Sequence, residues 1–548
     1  MKKHTIRRIL FWMLLALFVA LVAWWTLYVP YRPDRLYDAI PANATFVSVH
    51  QNLAGRWPAF VQNPLVRSVA VSAGVESKAL DQFATDPVSR KWLERLASRD
   101  VVVAYVPSIG YSGRPAWVMA SWIGGYSQRL RWLFSWGSVP DVRRVNSDGT
   151  RSIWLVHGTL FRGTTQLSLA LREGILLAAV SDDATAVRYL IEASDRSPLV
   201  PSARSSHQLD QVRALWPAEM TTDRGWVNLG GLRARGPELL AYAWALKPGG
   251  GMQAVLRAAY ELPPAPDVPV AAAGSPGRLA GDLSQAVVLL PWSHVRAFLP
   301  PPEASFWVEA VDELVKGAAA DRGPGHVLVG VVGGEYSGRI RSLLGGATLG
   351  LIKGLKVPGL VAAVPVADAE QARQAMLSAL DKLNAKYQLG LIPRPVADFN
   401  AGAITAIEGT RGGFYGRFEP DEQIAYTVTN GWLLLASNAG SLKHLLAKAA
   451  DKDAAGTAPG GAWKDVGAVP GANAYGWVDL TAFSGTLRES IAAVSLALLV
   501  KSGPETKVLR QNLAEVRAWV ETVQPMKHGA LWLTSNGAVT DVRIDLGD

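Results

Sequence analysis

An internal correspondence between two long segments constrains the fold of this chain more than any other feature. The tetrapeptide Tyr-Ser-Gly-Arg occurs at Tyr111–Arg114 and again at Tyr336–Arg339, each time after a short run of β-branched residues. Five further pairs of segments resemble each other in the same order, among them GWVNL at Gly225–Leu229 and GWVDL at Gly476–Leu480. Correspondences in a fixed order indicate an internal duplication. The sequence therefore predicts two homologous halves, residues 36–261 and 279–548, joined by a Pro/Ala/Gly-rich linker over residues 262–278.

The local pattern within each half is that of an α+β fold. The segment LSLALREGILLAAV alternates apolar and polar residues around Glu173-Gly174, and TVTNGWLLLA does so around Asn430-Gly431, which predicts two tight β-hairpins. Residues Ala369–Tyr387 have the spacing of an amphipathic helix. Trp117, Trp154 and Trp226 fall in strand-like runs and are predicted to be core residues. We expect antiparallel sheets with packed helices in both halves.

The N-terminal segment has the pattern of a membrane anchor. Residues 1–8 contain Lys2, Lys3, Arg7 and Arg8, and the apolar run Ile9–Val29 follows without a charge. Its length and the charge bias predict a single transmembrane helix with residues 1–8 in the cytoplasm and the bulk in the periplasm. The residues expected at the membrane interface are Trp24, Trp25, Tyr28 and Tyr31. A signal peptide cleaved after Ala23 is the alternative.

Composition argues against several classes of function. The chain has no cysteine, which excludes disulfides, thiolate metal sites and cysteine nucleophiles. Of its net charge of +9, four positive charges lie at the N-terminus, so no concentrated basic face for nucleic acid is evident. The glycine-rich stretch at Gly330–Gly338 fits neither the dinucleotide fingerprint nor the P-loop spacing, so no nucleotide is expected.

No motif identifies a catalytic site. Ser112 and Ser337 are not in a nucleophile elbow, and their Gly-containing surroundings favour a turn. The eight histidines show no metal-binding spacing. A pair of carboxylates converging from distant segments stays open. We expect no catalytic residue, no cofactor and no metal.

One insertion distinguishes the second half from the first. Residues Ile340–Gly359 separate the second Tyr-Ser-Gly-Arg from the next strand and combine apolar residues with glycine and basic residues. Such a segment is predicted to contact a membrane or a partner, although a loop packed on its own domain is the alternative. The candidate contact residues are Arg341, Leu343, Leu344, Leu351, Ile352, Lys353 and Lys356.

The chain resembles a family of uncharacterised bacterial single-pass envelope proteins, a domain of unknown function. The resemblance rests on the N-terminal anchor, the opening LYDAIPANATFVSVHQNL and the two hairpin–helix units. Members of that family are often encoded beside a bacterial alpha-2-macroglobulin, which is a periplasmic protease trap. The resemblance implies an inner-membrane location and a role in an envelope defence complex.

These observations favour a membrane-anchored binding or scaffold protein with another envelope protein as its partner. Two alternatives stay open. One is an envelope hydrolase whose residues converge from both halves, and the other is a protein that binds lipids or envelope precursors.

Overall fold

The computed structural model describes residues 3–67, 80–82, 85–109, 113–139, 141–146, 152–156, 165–229, 237–247, 250–260, 284–298, 315, 326–332, 359–396, 404–409, 423–429, 431–455, 469–500, 513, 517, 520, 526–535 and 539–547. The chain forms two compact units. The first is Met1–Ala245 with Leu256–Ala258, and the second is Leu246–Val255 with Ala259–Asp548.

The described part of the first unit has the following elements. Its helices are α1 Lys3–Leu27, α2 Arg35–Asp38, α3 Leu53–Gln62, α4 Pro87–Ala97, α5 Tyr126–Ser135, α6 Val187–Ser194 and α7 Gln208–Leu215. Its strands are β1 Phe46–Gln51, β2 Asp100–Ile109, β3 Arg114–Trp122, β4 Val142–Asn146, β5 Ile153–Val156, β6 Gln166–Arg172, β7 Ile175–Ser181, β8 Asp223–Asn228 and β9 Leu239–Leu246. Strand β10, Met252–Ala258, contributes residues to both units.

The described part of the second unit continues the numbering. Its helices are α8 Trp292–Phe298, α9 Ala369–Tyr387, α10 Ala439–Ala455 and α11 Leu480–Val500. Its strands are β11 Ser284–Pro291, β12 His326–Val332, β13 Gly359–Pro365, β14 Leu391–Pro395, β15 Thr405–Gly409, β16 Ala425–Thr429, β17 Trp432–Ala436, β18 Ala474–Asp479, β19 His528–Ser535 and β20 Thr540–Gly547.

The two units share one strand order. In the first, neighbouring strands follow β9-β8-β1-β2-β3-β7-β6-β5-β4, all antiparallel. In the second, the order is β20-β19-β18-β11-β12-β13-β17-β16-β15-β14, again all antiparallel. From β9 and β19 onward, each strand of one order matches the strand ten numbers higher in the other. A duplicated chain is expected to give this result, and common descent of the halves stays a prediction.

The expected fold class, an α+β chain with an N-terminal transmembrane helix, is wrong. The architecture is an extensive antiparallel β structure, with twenty strands in the described residues, and the helices are secondary to it. Among the helices of the described residues, none is both long and apolar enough for a membrane crossing. The reason for the misreading is that periodicity detects elements one at a time. The architecture depends on pairings between distant residues, such as Phe46 with Val227.

Several local predictions are confirmed. The hairpin β6–β7 turns at Glu173 and Gly174, both with positive φ, and β16 pairs with β17 around Gly431. Helix α9 spans the predicted residues and begins after Asp368, whose carboxylate accepts a hydrogen bond from the Gln371 amide at 2.8 Å. Such a cap satisfies an amide that has no partner within the helix.

Strand β17 illustrates why its sequence WLLLA is continuously apolar. Leu433 packs in one cluster with helix α9, and Leu434 packs in another cluster with helix α10. Because successive side chains of a strand point to opposite faces, both faces of this strand are covered.

Candidate functional site

The candidate site lies in the first unit, at the corner where β3 ends. After Trp122 the chain turns through Gly124, which has φ +56°, and helix α5 begins at Tyr126. The amides of Ile123 and Gly124 donate to the carbonyl of Gly174 at 2.8 and 2.9 Å, which fixes this corner to the β6–β7 hairpin.

A cavity of about 390 Å³ opens at this corner. It is lined by Tyr28, Val29, Tyr31, Arg95, Ser98, Arg99, Trp122, Ile123, Gly124 and Gly125. Three separate parts of the chain meet here: the segment after α1, the end of α4 with the start of β2, and the β3–α5 corner. The pairing of Val101 with Ser121 places the start of β2 beside the end of β3.

Two guanidinium groups line the cavity. Arg95 donates to the Tyr126 hydroxyl at 3.3 Å and lies over its ring, while Arg99 lies over the ring of Tyr31 at 5.3 Å. Within the described residues, neither arginine is in an ion pair with a carboxylate. Cation–π contacts leave the positive charge in place, so both groups are available to an anion.

A buried hydrogen-bond donor lies near the two guanidinium groups. Trp122 is only 1% exposed, and its indole N–H has no hydrogen-bond partner in the described part of the chain. This nitrogen lies toward the cavity-lining Gly124, since a β-carbon built on that glycine would be 3.7 Å from it. A buried donor without an acceptor costs about 1–3 kcal/mol, so an acceptor that reaches this indole N–H gains a hydrogen bond.

The N-terminal end of helix α5 adds a partial positive charge at the cavity. Helix α5 has ten residues, and its N-cap, Gly125, lines the cavity and makes no side-chain cap. The helix dipole places a partial positive charge at this end of α5. The first three amides of the helix already donate to backbone carbonyls at 3.0–3.2 Å, so they add no free donors. None of the residues that line the cavity is acidic.

The carboxylate of Asp100, which follows the cavity-lining Arg99, is already engaged. The hydroxyl of Tyr31 donates to Asp100, the first residue of β2. Burial raises the pKa of the Asp100 carboxyl, and the Arg224 guanidinium opposes this only in part. Asp100 therefore orients Tyr31 at the cavity wall and does not neutralise the arginines.

The residues predicted to lie at the membrane interface have different positions. Tyr28 and Tyr31 both line the cavity. Trp24 is 67% exposed and stacks on Tyr28 with ring centroids 5.2 Å apart. Trp25 belongs to α1, but its side chain lies outside the described residues. The insertion candidates Arg341, Leu343, Leu344, Leu351, Ile352, Lys353 and Lys356 all lie outside the described residues, as do Ser112 and Ser337.

Sequence reasoning missed Arg95, Arg99 and Trp122. The signals were present but weak: one arginine in the last turn of a helix and another just after it, and a Gly-Gly pair two residues after a strand tryptophan. Nothing in the spacing indicates that they meet, because strand pairing brings them together.

A second cluster in the first unit joins His50, Arg56 and Asp223. Asp223 is buried and accepts hydrogen bonds from the His50 Nδ1 at 2.8 Å and from both terminal nitrogens of Arg56. Burial alone raises the pKa of Asp223, but the hydrogen bonds from His50 and Arg56 outweigh it and leave the pKa lowered.

This cluster is less suited to chemistry than to holding the fold. A hydrolytic dyad needs a nucleophile hydrogen-bonded to the histidine. No described hydroxyl is hydrogen-bonded to His50, whose ring contacts those of Phe60 and Trp244. Arg56 already forms an ion pair with the Asp223 carboxylate. The cluster therefore ties β1, α3 and β8 together.

Within the described residues, no group of three acidic or histidine side chains is placed to hold a metal ion. No protein-family model matches the chain, and neither the curated proteins nor the solved structures include a match to it.

Proposed function

We propose that this chain is a membrane-associated binding protein of the bacterial envelope that takes a phosphate-bearing group into the cavity of its first unit. The observation that carries the proposal is the convergence of donors. Arg95, Arg99 and Trp122 line one cavity that has no acidic residue in its lining, and the buried indole N–H of Trp122 has no hydrogen-bond partner among the described residues.

The chemistry favours phosphate over carboxylate. Guanidinium groups bind both anions through paired hydrogen bonds. Two guanidiniums and an indole N–H offer more donors than the two oxygens of a carboxylate engage, whereas a phosphate ester has more oxygens to meet them. A volume of about 390 Å³ is in the range of pockets for small ligands.

The exposed side chains of α1 support a lipid surface as the location. All residues from Phe11 to Val22 are exposed, and the large apolar ones include Phe11, Trp12, Leu17, Phe18 and Leu21 at 61–64%. A helix that is apolar on all sides requires an apolar environment. Lys2, Lys3, Arg7 and Arg8 add attraction to anionic headgroups.

The cavity begins directly after this helix. α1 ends at Leu27, and the next residue, Tyr28, already lines the cavity. If α1 contacts lipid, the cavity lies near the level of the headgroup phosphates. This position favours the lipid- or precursor-binding alternative over a hydrolase. A scaffold role toward an alpha-2-macroglobulin-like partner rests on the family resemblance alone.

The test is a titration of the full chain in detergent with dihexanoylphosphatidylglycerol and, separately, with glycerol 1-phosphate. We expect Arg99→Gln and Arg95→Gln each to weaken binding about tenfold to hundredfold, since each removes a charge-assisted hydrogen bond. Trp122→Phe removes the N–H together with part of the buried ring and should weaken binding by a few fold.

The matched control is Arg90→Gln. Arg90 lies on the same helix α4 but is paired with Glu94 on the surface at 3.2 Å, so its loss should leave the affinity unchanged. Binding of the lipid without glycerol 1-phosphate identifies a lipid headgroup as the ligand, and binding of both identifies the phosphate group itself. No binding of either probe, or an equal loss with Arg90→Gln, contradicts the proposal.

A further inference from the structure

An exposed aromatic pair lies on helix α5. Trp132 is 52% exposed and Trp136, the residue that ends the helix, is 77% exposed. Their rings stack with centroids 6.4 Å apart and an angle of 17° between the planes. Two large aromatic side chains stacked in solvent are unusual unless another surface covers them.

The opposite face of α5 fixes this pair in place. Leu130 and Phe134 are buried in a cluster with Trp154 of β5. Arg129, Trp132 and Trp136 follow at three- and four-residue spacing on the exposed side. The helix therefore presents its aromatic face from a rigid position on the sheet.

The surroundings of the pair are basic. Between Tyr126 and Asn146 the sequence contains four arginines and one acidic residue, Asp141. In the described residues, none of Arg129, Arg131 and Arg143 is in an ion pair. We define the α5 patch as Arg129, Arg131, Trp132 and Trp136.

We infer that the α5 patch rests on an anionic lipid surface and forms a second membrane contact of the first unit. The inference rests on the proposed membrane location of the chain, and it uses residues outside the cavity. Tryptophan favours the interface between water and lipid, and unpaired arginines favour anionic headgroups.

Continuity with the cavity and with α1 identifies lipid as the surface that covers the patch. Helix α5 begins beside Gly125, which lines the same cavity as Tyr28, the residue after α1. At a rise of about 1.5 Å per residue, Trp132 and Trp136 lie about 10 and about 16 Å along the helix from Gly125. Lipid contacts by α1 and by the α5 patch would together fix the orientation of the first unit and keep the cavity at the level of the headgroups.

The absence of cysteine allows a clean test in the full chain. Ser135→Cys, on the exposed side of α5, and Ala214→Cys, an exposed position on α7, are each labelled with an environment-sensitive fluorophore. The labelled proteins are placed in nanodiscs of phosphatidylcholine with about one third phosphatidylglycerol, which give the patch the anionic surface it needs. Headgroup spin-labelled lipid serves as the quencher.

We expect quenching at position 135 several fold stronger than at position 214. The double substitution Trp132→Ala and Trp136→Ala should remove most of the quenching at position 135. The double substitution Arg129→Gln and Arg131→Gln should reduce this quenching in anionic nanodiscs but not in nanodiscs of phosphatidylcholine alone. The control Leu199→Ala removes another large apolar side chain, 79% exposed, and should change nothing.

Equal quenching at the two positions, or quenching that survives the loss of both tryptophans, overturns the inference. The proposed function is scored separately by the phosphate titration and by flotation of the chain with vesicles. If the chain does not float with the vesicles, the membrane location and this inference are both refuted. If it floats but quenching is equal at the two positions, only the lipid contact of the α5 patch is refuted.

Discussion

Alanine at Gly225 tests how the sheet of the first unit is packed. Gly225 is the first residue of GWVNL, on β8. A methyl group there would overlap the carbonyl oxygen of Val47 on β1 and lie 2.5 Å from the hydroxyl oxygen of Tyr242. That hydroxyl donates to the same Val47 carbonyl at 2.9 Å in a buried position. The methyl group therefore occupies the space that this hydrogen bond needs.

The cost has two parts. Overpacking a filled site costs about 1–3 kcal/mol. Displacing Tyr242 leaves buried polar groups without partners, at about 1–3 kcal/mol more. We expect Gly225→Ala to destabilise the first unit by about 2–6 kcal/mol, which changes its opening equilibrium by about thirtyfold to ten-thousandfold.

The second unit offers the matched control. Gly476 begins GWVDL on β18, and a methyl group there would meet its nearest neighbours, Leu531 and Val288, at 3.7 Å. This is ordinary contact, and replacing glycine lowers the entropy of the unfolded chain. Gly476→Ala should be neutral or stabilise the second unit by up to about 1 kcal/mol.

Hydrogen exchange followed by mass spectrometry reads each unit separately, which a global unfolding curve of a two-unit chain does not. Faster exchange in peptides of β1 and β8 is expected for Gly225→Ala, with β11 and β18 unchanged. Equal effects of the two substitutions in their own units would refute the reasoning, because the shared Gly-Trp-Val alone would then decide the outcome.

Three further predictions concern stability. The pKa of Asp223 in the folded protein lies below 3.8, so the stability that its charged form provides at higher pH is lost as the pH falls below that value. Asp223→Asn should therefore reduce the acid-induced rise in hydrogen exchange in peptides of β1 and β8. Burial lowers the pKa of His326 below 6.5, so the stability that the neutral side chain provides is complete above that pH and is lost on acidification. In peptides of β12, His326→Gln should reduce the rise in hydrogen exchange between about pH 7 and about pH 5. An unchanged rise would contradict this prediction. Asn384 bonds both backbone groups of Leu391 at 2.6 and 2.8 Å, so Asn384→Ala should cost about 1–3 kcal/mol, seen as faster exchange in β14; no change there would contradict the estimate.

Local chemistry made part of the structure predictable. The turn at Glu173-Gly174 and the helix Ala369–Tyr387 follow from residues close in sequence. Burial was harder to predict. Trp226 and Trp154 are buried as predicted, but Trp117, in an equally strand-like run, is 46% exposed. Alternation tells which residues share a face, whereas the neighbouring elements decide which face is covered.

The sequence by itself determined the hairpins, the amphipathic helices and the order of the repeated segments, because these depend on propensities and periodicity over a few residues. Only the tertiary structure decided the site. Arg99 and Trp122 meet because Val101 of β2 pairs with Ser121 of β3, and Tyr31 joins them through its hydrogen bond to Asp100. A shift of one residue in that register would turn these side chains to the other face, and no local pattern records it.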